Sequence, residues 1–259
     1  AVSWALASCS VWLADDVSPP AALAPPDVPE AGPWDCVGKL EAVHQDRTRQ
    51  VALELRVTDL KSAALEGIAV NYCQTLDPGC TPLADELLTD ADGHVTLEVP
   101  YGLHGSLILE GPDDILPTLV YLEPPPTAKS NPITIPLLDQ ADVALMSALA
   151  QREVDPDTGI LLLSSADCAL QYNPLTPGVH YELATPGPDT VGFYLVNQLP
   201  DPNQTRTGPN GVGGYVNVPP GLAAVTATLP ELDDLELGHS NFLVRAGWLT
   251  YGSISPYNQ

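Results

Sequence analysis

Basic residues are scarce in this chain: 9 Lys and Arg stand against 33 Asp and Glu in 259 residues, a formal net charge of −24. That imbalance excludes nucleic-acid binding, because neutralising phosphates needs clustered Lys and Arg. It also excludes adhesion to anionic lipid by charge, whereas a basic partner or divalent cations would suit such a field. Long apolar runs are missing, and no stretch approaches the ~20 residues of a membrane-spanning helix. No Cys-x-x-Cys or paired-His spacing exists, so zinc has no ligand set in the sequence. The chain shows no phosphate loop or dinucleotide fingerprint, and Gly238-His239-Ser240-Asn241-Phe242 lacks the final Gly of a nucleophile elbow. The expectation is a protein that is not an enzyme and carries no cofactor.

Proline and glycine, by contrast, are plentiful, at 28 and 20 residues, beside a hydrophobic content of 44%. Such a composition favours short strands and many turns over long helices, and the length allows one large domain or two ordinary ones. One strand-turn-strand phrase occurs twice. Its first copy is Thr89-Asp90-Ala91-Asp92-Gly93, His94 to Val99, then Pro100-Tyr101-Gly102. The second is Thr207-Gly208-Pro209-Asn210-Gly211, Val212 to Val218, then Pro219-Pro220-Gly221. Asp-Gly and Asn-Gly are hairpin signals because both central residues of a type I′ turn need positive φ. The second copy is one residue longer, and the surplus at Gly213-Gly214 reads as a β-bulge.

Around these phrases the chain alternates as half-buried strands do. Val51, Leu53, Leu55 and Val57 make one face; Ala223, Val225, Ala227 and Leu229 make another. Further strands fit 107–109, 116–122, 133–137, 160–163, 241–245 and 248–254. One helix is expected over 139–152, capped by Asp139, with Leu138, Leu145, Met146 and Leu149 as its apolar stripe. Residues 10–33 are rich in Pro, Ala and acidic residues, a composition that favours an extended stalk.

The first residues look like the tail of an export signal. Leu6-Ala7-Ser8-Cys9 resembles a bacterial lipobox, which would make Cys9 the site of a lipid anchor; the alternative is a disulfide at Cys9. If Cys9 is lipidated, Cys36, Cys73, Cys80 and Cys168 remain, an even number. Cys73 and Cys80 bracket an Asp-Pro-Gly turn and fit a local disulfide of roughly 2–3 kcal/mol. Cys36 and Cys168 are then the remaining pair, and either bridge requires an oxidising compartment.

Candidate sites beyond these are sparse. Five histidines (His44, His94, His104, His180, His239) are scattered. Asp90 and Asp92 sit beside Gly93 as in a calcium loop, but Leu88 and Val99 stand where that loop needs further oxygen ligands. Tyr215, placed on the outer face of its strand opposite Val216 and Val218, is the candidate for a sugar-binding platform. Asn203-Gln204-Thr205 is an N-glycosylation acceptor that matters only in a eukaryotic secreted protein.

Gly67-Ile68-Ala69-Val70, Thr89 to Gly93 and Pro100-Tyr101-Gly102 resemble the carboxypeptidase regulatory-like domain of the transthyretin-like β-sandwich group. Gly178-Val179-His180-Tyr181, Thr207 to Gly211 and Pro219-Pro220-Gly221 repeat the pattern, so the resemblance covers about residues 50–136 and 158–255. It implies an accessory fold for spacing, adhesion or binding and brings no catalytic residues. The expected architecture is all-β, two tandem transthyretin-like or Ig-like β-sandwiches joined by one short helix. Its boundaries are a residual signal and lipobox (1–9), a stalk and lead-in (10–49), sandwich 1 (50–137), linker helix (138–157) and sandwich 2 (158–259). With the lipobox, this resembles cell-surface lipoproteins of GC-rich bacteria, with Ser10 pointing to outer-membrane sorting. The function expected is a lipid-anchored surface scaffold or adhesion protein with a protein or glycan partner, the alternatives being a carbohydrate-binding module or a secreted form.

Overall fold

Val51, Leu53, Leu55 and Val57 are all buried along the first strand of the computed structural model, which describes residues 34–39, 43–74, 87–168 and 176–256. In chain order the strands are β1 (Asp46–Thr58), β2 (Ala69–Gln74), β3 (Leu87–Leu88), β4 (His94–Tyr101), β5 (Gly105–Glu110), β6 (Thr118–Tyr121) and β7 (Ser130–Pro136). The helix α1 (Gln140–Leu149) follows. Then come β8 (Gly159–Ser165), β9 (His180–Leu183), β10 (Val191–Val196), β11 (Leu199–Asp201), β12 (Val212–Val218), β13 (Gly221–Leu229), β14 (Leu235–Val244) and β15 (Leu249–Ile254). The architecture is all-β, with α1 as its one α-helix among the described residues.

The two sequence phrases head two structural repeats. In the first, β1 pairs antiparallel with β4 and parallel with β7; in the second, β8 pairs antiparallel with β12 and parallel with β15. Likewise β5 lies between β2 and β6, as β13 lies between β9 and β14. One polar clamp recurs with them. The Thr89 hydroxyl accepts from Ile68 N–H at 2.9 Å and donates to Leu65 O at 2.6 Å. Thr207 does the same, with Val179 N–H and Thr176 O, both at 2.9 Å. Both threonines are buried, where an unpaired hydroxyl would cost about 1–3 kcal/mol.

The repeats are fused rather than strung in series. β15 pairs parallel with β8 on one edge and, through Leu249–Thr118, Thr250–Leu119 and Tyr251–Val120, parallel with β6 on the other. The result is one long sheet of nine strands, β11-β10-β12-β8-β15-β6-β5-β2-β3. Side chains alternate between its faces. Val120 and Tyr251 lie on the face that packs under β4-β1-β7, whereas Leu161, Leu163 and Ile254 on the opposite face pack under β14-β13-β9. The two small sheets therefore cover opposite faces of the long one.

Three local expectations change. The bulge lies at Val216-Asn217, between the pairs Tyr215–Leu161 and Val218–Gly159, not at Gly213-Gly214. Both glycines stay in register; a Cβ on Gly213 would press on the Tyr194 ring at 2.6 Å, and one on Gly214 would meet the Leu161 carbonyl. Asn217 takes the positive φ of 58° that the bulge requires, a conformation Asn tolerates better than most residues. Second, α1 buries Met146 and packs through Val143 and Ala150, while Leu145 is 50% exposed. Its cap is as read: Asp139 accepts from Asp142 N–H at 2.7 Å and Asp142 accepts in return at 3.1 Å. Third, the stretch between residues 183 and 206, where the sequence marked no strand, forms the hairpin β10–β11, turning on Asn197 and Gln198, both at positive φ. Without glycine the turn was illegible.

The segment before β1 is held to the second repeat. A disulfide joins Cys36 to Cys168, and Trp34, 4% exposed, sits in the core between the long sheet and β14-β13-β9. The sequence separation of 132 residues implies about 5 kcal/mol from restricting the unfolded chain. Replacing Cys36 and Cys168 together by Ala is expected to lower unfolding free energy by about 2–5 kcal/mol in urea titrations, with the Trp34 emission shifted to the red. Asn217 also ties the interrepeat linker: its Oδ1 accepts from Asp155 N–H at 2.9 Å and its Nδ2 donates to Glu153 O at 2.8 Å. Asn217→Ala is expected to destabilise by about 2–4 kcal/mol, since it strains the bulge and orphans buried groups; a loss under ~1 kcal/mol in the same titration would contradict that role.

Candidate functional site

A cleft of about 650 Å³ opens where β7 ends the cover over its face of the long sheet. Its floor comes from Leu162 and Ser164 on β8, Val212 on β12, and Tyr251 and Ser253 on β15. Its wall is β7 itself and the run Pro124-Pro125-Pro126, which leaves β6 through a cis bond after Glu123. The register places Tyr251, Leu162, Ser253 and Ser164 on one face because parallel partners share a side.

The β7 wall has an unusual edge. Lys129 O accepts from Ala52 N–H and Leu137 N–H donates to Thr58 O, so the odd-numbered residues turn their backbone groups toward β1. The even-numbered ones, Ser130, Pro132, Thr134 and Pro136, turn theirs outward along the free edge. Two of these four are proline and have no N–H, the position in a sheet where proline is tolerated. Tyr251 Oη donates to Pro136 O at 2.9 Å, closing one end. In the second repeat β15 corresponds to β7, and the same edge there is occupied by β6, with Leu249 N–H donating to Pro117 O at 3.0 Å.

Among the described residues Glu123 is the acidic group lining the cleft, and no Lys, Arg or His lines it. Its Oε1 accepts from Ser255 Oγ at 2.7 Å. Burial pushes the carboxyl above the ordinary carboxylate range, opposed by that hydrogen bond and by His104. Ser253 Oγ is buried with no hydrogen-bond partner among the described residues.

The sequence candidates lie elsewhere. Tyr215 does not stand on an outer face: the bulge at Val216-Asn217 turns it to the same side as Val218, against the core of the second sandwich. Its hydroxyl donates to Tyr181 O at 2.7 Å, and burial raises its pKa. The ring is committed to packing, as are those of Tyr181, Tyr194 and Tyr121. Cys73 is disulfide-bonded, and Ser106 Oγ lies 3.1 Å from its sulfur; Cys80, like Cys9, lies outside the described residues. Asp90 accepts from the N–H groups of Asp92 and His94 at 3.0 and 2.8 Å, which depresses its pKa and accounts for the acidic turn without calcium. The histidines remain apart: His104 meets Val43 O, His180 meets Thr205 O, and His239 meets Glu236. Among the described residues no three His, Cys, Asp or Glu converge as a metal site. The cleft itself had no local signal, because its floor and wall come from both repeats.

No family model and no curated protein matches the chain. Among solved structures, the Bacillus anthracis TIE protein aligns with a TM-score of 0.28 at 12% identity over 80% of this chain and 34% of its own. This chain thus spans about a third of that protein's length. The shaft pilin SpaA of Lactobacillus rhamnosus GG aligns with a TM-score of 0.25 at 9% identity, over 80% of this chain and 98% of its own. 3-Chlorocatechol 1,2-dioxygenase of Rhodococcus opacus aligns with a TM-score of 0.27 at 14% identity, over 39% of this chain and 63% of its own.

The raised Glu123 pKa has a pH consequence. The folded state holds that proton to higher pH than the unfolded chain does, so its contribution is full below the ordinary glutamate value near ~4.3. It is lost as pH rises through the elevated folded value. Glu123→Gln removes this penalty, and its melting temperature relative to wild type is expected to climb as pH rises above the ordinary glutamate range. A pH-independent offset between the two melting curves would overturn the assignment.

Proposed function

We propose that this chain is a non-enzymatic surface scaffold of an exported protein, held to a membrane by a lipid on Cys9 and carried outward by residues 10–33. The observation that supports it most is the two-sided pairing of β15, which makes one continuous sheet out of two sandwiches. Such a joint fixes the repeats against each other by backbone hydrogen bonds, as a load-bearing or spacing element requires. The Cys36–Cys168 bridge fits export, since disulfides persist in oxidising compartments. Exposed edges at β4 and β14 offer backbone groups to a protein partner.

Expression of the chain behind a functional export signal, with labelled palmitate in the medium, tests the anchor. Wild type is expected to be labelled and to sediment with membranes, whereas Cys9→Ser is expected to lose the label and enter the soluble fraction. Equal labelling of both would overturn the anchor; cross-linking in the same cells that recovered no protein neighbour would count against the scaffold.

A further inference from the structure

We propose that the cleft beside β7 is a binding site for an apolar small molecule with a cationic hydrogen-bond donor, such as a primary ammonium on a hydrocarbon body. The volume of about 650 Å³ falls within the range of small-molecule sites, roughly 300–1,000 Å³. Leu162, Val212, Ile133 and the Pro124-Pro125-Pro126 run give it apolar surface whose removal from water favours binding. This supplies affinity for a hydrocarbon body but no choice of head group.

The choice comes from the polar groups, among which acceptors outnumber donors. Along the β7 edge the carbonyls of Ser130, Pro132 and Thr134 face outward and can only accept, while Pro132 and Pro136 leave the N–H groups of Ser130 and Thr134 as the edge's outward backbone donors. The hydroxyls of Ser164 and Ser253 serve as donor or acceptor, and the Glu123 carboxyl near the cis bond accepts from Ser255. Among the described residues no Lys, Arg or His lines the cleft, so none of them offers a side-chain cation to a carboxylate or phosphate. The formal charge of −24 disfavours anions further. A ligand therefore gains most by bringing N–H donors and positive charge.

A peptide strand is the occupant that the repeat geometry would otherwise invite, because β6 fills the corresponding place beside β15. The two prolines argue against it. A ladder on that edge would lose two N–H donors and meet the pyrrolidine rings. The seat that one repeat fills with a strand is left as a cavity in the other.

Titration calorimetry of the disulfide-intact chain with octylamine, octanoate and octyltrimethylammonium tests this, because the three share one hydrocarbon body. Octylamine is expected to bind saturably at one site per chain. Octanoate and the trimethyl analogue, which has charge but no N–H, are each expected to be at least about tenfold weaker, the size of one charge-assisted hydrogen bond. Val212→Trp and, separately, Ser164→Leu fill the floor and are each expected to weaken octylamine by about tenfold or more while leaving the far-ultraviolet circular dichroism unchanged. Two variants guard against one failing to fold. Octanoate binding as tightly as octylamine would overturn the head-group assignment. Octylamine binding that both folded variants retain, or that does not saturate, would overturn the site.

Discussion

Everything else in this molecule depends on β15 pairing with two neighbours at once. Each repeat has its own two-sheet core, and two further clusters bury residues of one repeat against the other. It is the parallel contact of Leu249–Tyr251 with Thr118–Val120 that turns two sheets into one. Side chains reinforce it from both faces. Tyr251 reaches Pro136 and Ser255 reaches Glu123 on the first repeat. Tyr121 of β6 accepts from Leu243 N–H at 2.7 Å, and Thr250 donates to Leu243 O at 3.0 Å. These bonds lock the small sheet of the second repeat to the joint. Leu243 and Trp248 also pack on Cys73, Ile108 and Leu119 across the outer face of the first repeat.

Because the cover sheets lie on opposite faces, the joint creates two places where a small sheet stops above the neighbouring repeat. On one side Leu243, Trp248 and Tyr121 fill that place. On the other, β7 ends in a proline-blunted edge and a cavity remains. The difference is local sequence, not topology: prolines at alternate positions of β7 against Pro-free residues on β15. The two repeats present equivalent edges, of which one is a joint and the other a wall.

Much of the fold was legible in the residues. Alternation at 51–57 and 223–229 marked strands correctly, but the Asp-Gly and Asn-Gly turns are not type I′ hairpins: Gly93 and Gly211 take positive φ while Asp92 and Asn210 do not, and the strands on either side, β3 and β4 or β11 and β12, pair with other partners. The paired threonines that open each phrase were visible as a repeat, though not as clamps, because their partners lie 21 and 28 residues away. Tyr215 was misplaced for one reason: alternation counts residues, and a bulge adds one without announcing itself when the residue at positive φ is Asn217 instead of Gly. The β10–β11 hairpin escaped in the same way, since Asn197 and Gln198 carry the turn.

By itself the sequence determined the class of structure, the duplication and the position of most turns, since these follow from periodicity and from the backbone freedom of Gly, Asn and Pro. It determined the acidic field as well, which is a sum over residues and needs no fold. Only the tertiary structure decided that the repeats share a sheet, which faces their covers occupy and where a cleft is left open. Those features rest on a short parallel contact between segments far apart in the chain. Parallel pairing of that kind leaves no turn and no pattern of its own, so nothing local could have announced it.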